Sequence, residues 1–282
     1  MVEEIGARSA SGTARVFALY IYPVKGARGI ALERSDVLAG GLRHDRRFMV
    51  LGAHGTFLTQ REHPRMALIE TAIEGDELVL WVHGTTERAR VSVRPEDHDA
   101  KPRRHATVWK DEVIAVDIGG EATELVSDHL RERCSLVFMP PETIRQVDLD
   151  YAREGDRVGF ADGFPVLIAS LASLADLNTR LETAVGIDRF RANVVITGGD
   201  PWAEEAASRI RVGDVTFRTP KKCARCVVTT TDQQTGVVVG KEPLRTLAMY
   251  RREGNKANFA MNAIPELDAV GQIAIGDAVV LE

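Results

Sequence analysis

From residue 16 to residue 93 the chain alternates short β-rich runs with glycine turns, and this rhythm restricts the fold more than any other feature. The runs are 16–22, 30–38, 46–51, 66–73, 78–82 and 88–93, with Gly40-Gly41, His54-Gly55 and Gly75-Asp76 among the turns. Strands at such short spacing predict a small antiparallel sheet or half-barrel. Next, Gly119-Gly120 opens a helical pattern to Arg133 with Ala122, Leu125, Val126 and Leu130 on one face, and 135–139 reads as a buried strand.

Pro140-Pro141 and the charged run 148–157 mark the best boundary, giving a β-rich unit at 15–139 and a second unit at 140–282. A polar lead, 1–14, precedes both. In the second unit 164–169 reads as a strand ending at Ser170, and Ser173 with Asp176 as the capping box of a helix carrying Leu174, Leu177 and Leu181. Further strands are expected at 193–197, 215–219, 224–231 and 277–281, and Pro243 starts a helix to Arg252. No glycine-rich phosphate loop of the dinucleotide or Walker type is present. The fold class is therefore α+β and β-rich: an N-terminal β module followed by a β-barrel with inserted helices.

Composition limits what such a fold can bind. With 36 Lys and Arg against 41 Asp and Glu in 282 residues, net charge −5, no global basic field draws the chain to nucleic acid or an anionic membrane. Any anion site must be local. No run approaches the ~20 apolar residues of a membrane span, and residues 1–14 resemble neither a secretory signal nor a transit peptide, so a cytoplasmic protein is expected. Cys134, Cys223 and Cys226 make an odd count, which argues against a disulfide framework and for a reducing compartment.

Cys223-Ala224-Arg225-Cys226 leaves four readings open. A structural zinc site lacks a second ligand pair, and a thioredoxin-like pair should open a helix, whereas the β-branched run 227–231 argues strand. Two inert packing cysteines, or a thiolate ligand to a soft metal, remain. Lys221, Lys222 and Arg225 beside the thiols favour the thiolate and an anionic ligand. A second basic group comprises Lys25, followed by Gly26 with its open backbone, then Arg43, Arg46, Arg47, Arg61 and Arg65. Arg191 and Asn193 alternate at the entry of a strand and so share a face.

The ordered set Tyr22-Pro23-Val24-Lys25-Gly26, Asp45-Arg46-Arg47-Phe48, Thr59-Gln60-Arg61, Phe190-Arg191-Ala192-Asn193, Cys223-Ala224-Arg225-Cys226 and Lys241-Glu242-Pro243-Leu244 resembles the MOSC proteins. The likeness is to the two-part type, with an N-terminal MOSC β-barrel domain before the MOSC domain, found in the amidoxime-reducing components and their bacterial relatives. It implies a molybdenum-cofactor oxidoreductase that reduces hydroxylamines, amidoximes, N-hydroxylated bases and N-oxides. The position matching the family's thiolate ligand to molybdenum is Cys226. Matching also implies cofactor contacts at Lys25, Gly26, Arg46, Gly163, Arg191, Asn193 and Arg225. Apart from that matching, Asp162 reads first as the turn residue before Gly163, with a proton relay as the alternative role. Family members often carry Ser at position 26 and Pro at position 192. Three cysteines exclude an appended iron–sulfur cluster, so the resemblance implies electrons from a separate flavin reductase, ferredoxin or cytochrome b5-like protein. MOSC domains also occur in molybdenum-cofactor sulfurases, which leaves a cofactor carrier or sulfur-transfer module as the alternative.

Overall fold

A computed structural model describes residues 13–266 and 271–282; most of the polar lead, residues 1–12, lies outside the described residues. The architecture is β-rich, with three α-helices among the described residues, and bears out the sequence-based class.

The largest sheet has nine strands. Its main path runs Ile30–Leu32, Arg15–Ile21, Val194–Thr197, Val166–Ser170, Lys256–Pro265, Val215–Ala224, Arg209–Val212 and Val279–Leu281. Only Val166–Ser170 and Val194–Thr197 pair in parallel; the other neighbours on this path are antiparallel. All five residues of Val166–Ser170 are buried because both faces of the sheet are covered, which explains an unbroken apolar run where alternation would mark a half-exposed strand. Val166 and Ile168 pack with Leu19, Ile210 and Phe217 on one face, and Leu167 and Ala169 with Leu177, Phe190 and Phe259 on the other. Phe190 stacks on Phe259 at 3.8 Å between ring centroids, and emptying that site would cost about 3–5 kcal/mol.

A second core lies under the sheets of residues 48–138, where Phe48, Met66, Ile69, Leu80, Leu136 and Phe138 pack against the inner face of helix Gly120–Leu130. That face carries Ala122, Leu125, Val126 and Leu130, as the periodicity requires. Hydrogen bonding crosses the sequence division at 140: Arg15–Ile21 pairs with Val194–Thr197, and Arg34–Leu38 with Gly271–Ala274. The division into 15–139 and 140–282 is one of sequence, and the N-terminal strands complete the sheet of the second half.

Two local expectations are corrected. Helix Leu171–Asn178 is capped by Ser170, whose side chain accepts from Ala172 N at 3.1 Å. Ser173 lies inside the helix and donates to Glu204 Oε1 at 2.7 Å, and Asp176 accepts from Trp202 Nε1 at 2.9 Å. Long-range partners have claimed both residues of the supposed capping box. The expected strand 224–231 is also absent: the chain leaves the sheet after Ala224 and closes a 3-10 turn at Val227–Thr230.

Candidate active site

The thiol pair stands where the strand Val215–Ala224 runs out. Arg225 N still donates to Ala257 O at 2.7 Å, holding the chain to the neighbouring strand, and Cys226 is the first residue beyond it. Thr229 N and Thr229 Oγ1 both donate to Cys226 O, at 3.1 and 2.9 Å, and Thr230 Oγ1 donates to Val227 O at 2.7 Å. Threonine hydroxyls that bond back three residues compete with strand pairing, which is why a β-branched run forms a turn here. The result fixes the backbone of Cys226 and leaves its side chain half-buried.

Different arginines serve the two thiols. Arg225 Nη1 donates to Cys223 Sγ at 2.9 Å and Nη2 to Phe190 O at 2.9 Å, while its buried Nε has no partner among the described residues. Cys226 Sγ instead lies 3.6 Å from Nη2 of Arg61, a residue of the N-terminal half. Lys221 and Lys222, expected beside the thiols, are drawn away: Lys221 Nζ sits 3.9 Å above the Tyr151 ring, and Lys222 pairs with Glu205 and Glu253.

Arg46 and Arg191 form the opposite wall on left-handed backbone, at φ 46° and 55°. Non-glycine residues in that conformation carry strain that surrounding contacts must hold. Both guanidinium carbons lie over one buried ring, Tyr22, at 4.2 and 4.3 Å. Arg46 is engaged at both terminal nitrogens: Nη1 donates to Asp45 Oδ2 at 2.6 Å and Asn193 Oδ1 at 3.0 Å, and Nη2 to Arg191 O at 3.2 Å. Asn193 straps three strands together, its Oδ1 also accepting from Leu167 N and its Nδ2 donating to Tyr20 O. The guanidinium of Arg191 makes no hydrogen bond or ion pair among the described residues; burial brings its pKa down to about 10, so it stays charged at neutral pH.

The third wall joins Lys25 to Asp162. Lys25 Nζ donates to Asp162 Oδ1 at 2.5 Å and to Phe160 O at 2.8 Å, and lies 4.8 Å from the Phe57 ring centre. Asp162 also accepts from Trp109 Nε1 at 3.2 Å and stands 3.7 Å from Arg61 Nη2. Burial alone would raise its pKa, but Lys25 and Arg61 outweigh that and hold the carboxyl well below the usual range. At neutral pH Asp162 is a carboxylate with no proton to relay. A Cβ on Gly26, at φ 85°, would fall 2.7 Å from Met66 Cε, so a side chain here requires left-handed backbone and a shift of the Met66 methyl group. A Cβ on Gly163 would meet nothing within 4 Å, so the backbone there is open to a ligand.

All eight residues singled out in the sequence, Lys25, Gly26, Arg46, Gly163, Arg191, Asn193, Arg225 and Cys226, line a single cleft. Phe57, Gln60 and Arg61 also line it, and Trp109 props Arg61 from outside, with the guanidinium 4.6 Å above the indole. Trp109 gave no signal in the sequence: only the structure shows it at a left-handed position, φ 59°, in the two-residue link between strands Arg103–Val108 and Asp111–Asp117, where Asn or Gly is the usual residue. The charged lining is Lys25, Arg46, Arg61, Arg191 and Arg225 against Asp162 alone. This is the local cationic site that an acidic chain needs if it is to bind an anion. No group of three or more His, Cys, Asp or Glu side chains capable of holding a metal occurs among the described residues.

Comparison with known proteins agrees with this layout. Residues 13–133 match the MOSC N-terminal beta barrel domain and residues 155–280 the MOSC domain. The chain is 34% identical to mitochondrial amidoxime-reducing component 1 of Mus musculus over 281 residues, 94% of this chain and 82% of that protein. It is likewise 34% identical to the Homo sapiens protein of the same name, with the same coverage. It is 30% identical to the molybdenum cofactor sulfurase of Arabidopsis thaliana, matching 92% of this chain and 34% of that larger protein. No helix among the described residues is long and apolar enough to cross a membrane. With both halves matched in order and identity sustained along nearly the whole length, the chain belongs to the MOSC family, in the two-domain form shared with the mitochondrial amidoxime-reducing components.

Proposed function

We propose that this protein is a molybdenum-cofactor-dependent reductase of small N-hydroxylated compounds, among them hydroxylamines, amidoximes, N-hydroxylated bases and N-oxides. The observation that carries the reading is the half-buried Cys226 thiol, with Arg61 3.6 Å from its sulfur, in a cleft of five cationic side chains and one anionic one. A soft thiolate suits a redox-active metal, and the surplus positive charge suits the phosphate of a pterin cofactor. The sequence division at 15–139 and 140–282 is retained as a proposal, with the cleft drawing residues from both parts.

The residues present fit the group. Among the described residues the Arg191 guanidinium has no hydrogen-bond or ion-pair partner and Arg225 Nε is orphaned, and Gly163 leaves its backbone open, so these three would meet the cofactor with least rearrangement. Arg46 and Asn193 would act through position, because their hydrogen bonds are spent on Asp45, Arg191, Leu167 and Tyr20. Gly26 sets the left-handed turn after Lys25, and its carbonyl accepts from Gln60 Nε2 at 2.6 Å. When bound, the cofactor supplies the two-electron chemistry that cleaves the N–O bond. Arg61 reaches the Cys226 sulfur and, with Lys25, keeps Asp162 ionised at the mouth. Asp162, ionised between Lys25 and Arg61, is not itself the acid of the reaction. Electrons come from a separate flavin reductase, ferredoxin or cytochrome b5-like protein, and the protein acts in the cytoplasm.

The test is reduction of an amidoxime to its amidine by cofactor-loaded protein with an artificial electron donor, wild type against Cys226→Ala. Turnover by the wild type and none by the variant is expected. Turnover retained in the variant removes Cys226 from the role. A wild type that holds molybdenum and pterin yet reduces no N-hydroxylated compound favours the carrier or sulfur-transfer reading, to which the 30% identity with the sulfurase lends support.

A further inference from the structure

A second cleft backs onto the first. Arg46 and Arg47 are adjacent, yet Arg46 lines the cleft of Cys226 and Arg47 lines another, walled by Leu42, Phe48, Phe138, Met139 and Val158. The partition between them is thin. Phe160 N donates to Arg46 O at 2.8 Å, Met139 N donates to Arg47 O at 2.9 Å, and a Cβ on Gly159 would fall 2.8 Å from Arg46 O.

The second cleft carries positive charge that the fold leaves unneutralised. Arg47 donates to the carbonyl of Met139 and lies 5.3 Å from the Phe138 ring centre, but pairs with no carboxylate among the described residues. Arg157, exposed at the rim, makes no side-chain hydrogen bond or ion pair among them. The acidic groups nearby are taken: Asp36 by Arg43, Asp45 by Arg46, Glu142 by Arg103. Burial, followed by the positive charge of Arg157, brings the Arg47 pKa down to about 10, so the two guanidinium groups are near enough to repel. Half-burying a cation beside another is unfavourable unless an anion neutralises them. The aliphatic and aromatic walls fit an apolar body behind that anion.

We propose that this cleft binds a small organic anion with an apolar body and one sulfonate, carboxylate or phosphate, Arg47 and Arg157 receiving the charged end. The proposal is independent of the chemistry at Cys226.

The probe is 8-anilinonaphthalene-1-sulfonate, followed by fluorescence titration of the full chain. A saturable site is expected that Arg157→Gln or Arg47→Gln weakens roughly tenfold, as loss of a charged hydrogen bond implies, and that Arg191→Gln leaves unchanged even where that variant removes a second probe from the other cleft. Arg157 is exposed, so its substitution leaves the fold intact even if that of Arg47 does not. Binding lost in Arg191→Gln but kept in both other variants would place the anion in the first cleft and overturn the proposal. Absence of saturable binding to the wild type would overturn it as well.

Discussion

Nη2 of Arg61 lies 3.6 Å from Sγ of Cys226, a contact between residues 165 positions apart that joins the two halves of the chain at the thiol. An N–H donor there can hold in place a sulfur that bonds a metal. Arg61→Gln should therefore retain less molybdenum and lose ten- to a hundredfold in N-reduction, roughly the value of a hydrogen bond to a charged group. Metal content and kcat measured on one preparation check this. An unchanged variant would make the contact incidental.

Trp109 holds Arg61 in place at the expense of a left-handed backbone. Trp109→Asn relieves about 1 kcal/mol of strain and loses packing against Phe57 of similar size, so the thermal midpoint should hardly move. Activity should fall all the same, and Trp109→Phe should restore part of it. If Asn supports full turnover, Trp109 has no positioning role.

Asn193 belongs to the scaffold of the cleft. It is 1% exposed and bonds to Arg46, Leu167 and Tyr20. Asn193→Ala strands a buried amide and part of a guanidinium, and should cost about 2–4 kcal/mol in denaturant unfolding. A loss below about 1 kcal/mol would show that water replaces these bonds freely.

Asp162 should give stability an acid limb. Its folded pKa is lowered, with the pull of Lys25 and Arg61 exceeding the opposing effect of burial. Between the folded value and the unfolded value, near 3.9, the unfolded chain binds more protons, so stability rises with pH there. The contribution is fully present above about pH 4 and drains away as pH falls. Because the side chain is 61% exposed, solvent screens part of the effect. Asp162→Asn should flatten this limb in unfolding curves taken from pH 5 downward, whereas an unchanged slope would mean that Lys25 gains nothing from the pair.

How much was legible in the sequence follows from the range of the interactions. Helix Gly120–Leu130 showed through because its packing repeats along its own chain, and the cleft residues because they sit in compact motifs such as Phe190-Arg191-Ala192-Asn193. The turn after Cys226 was hidden, since a β-branched run says strand and only the back-bonded hydroxyls of Thr229 and Thr230 say otherwise. Ser173 and Asp176 looked like a cap until Glu204 and Trp202, from a distant segment, took both side chains. The pairing of Arg61 with Cys226 and of Arg225 with Cys223 reverses what adjacency suggests, because a side chain follows its strand's exit direction and not its neighbour in sequence.

The central claim is that Cys226 is the one protein ligand to a molybdenum held in this cleft. The direct measurement is the molybdenum and pterin content of protein purified from a cofactor-replete host, wild type beside Cys226→Ala. The account predicts about one molybdenum and one pterin per chain in the wild type and loss of molybdenum in the variant. A wild type with neither, or a variant that keeps its metal, would contradict it.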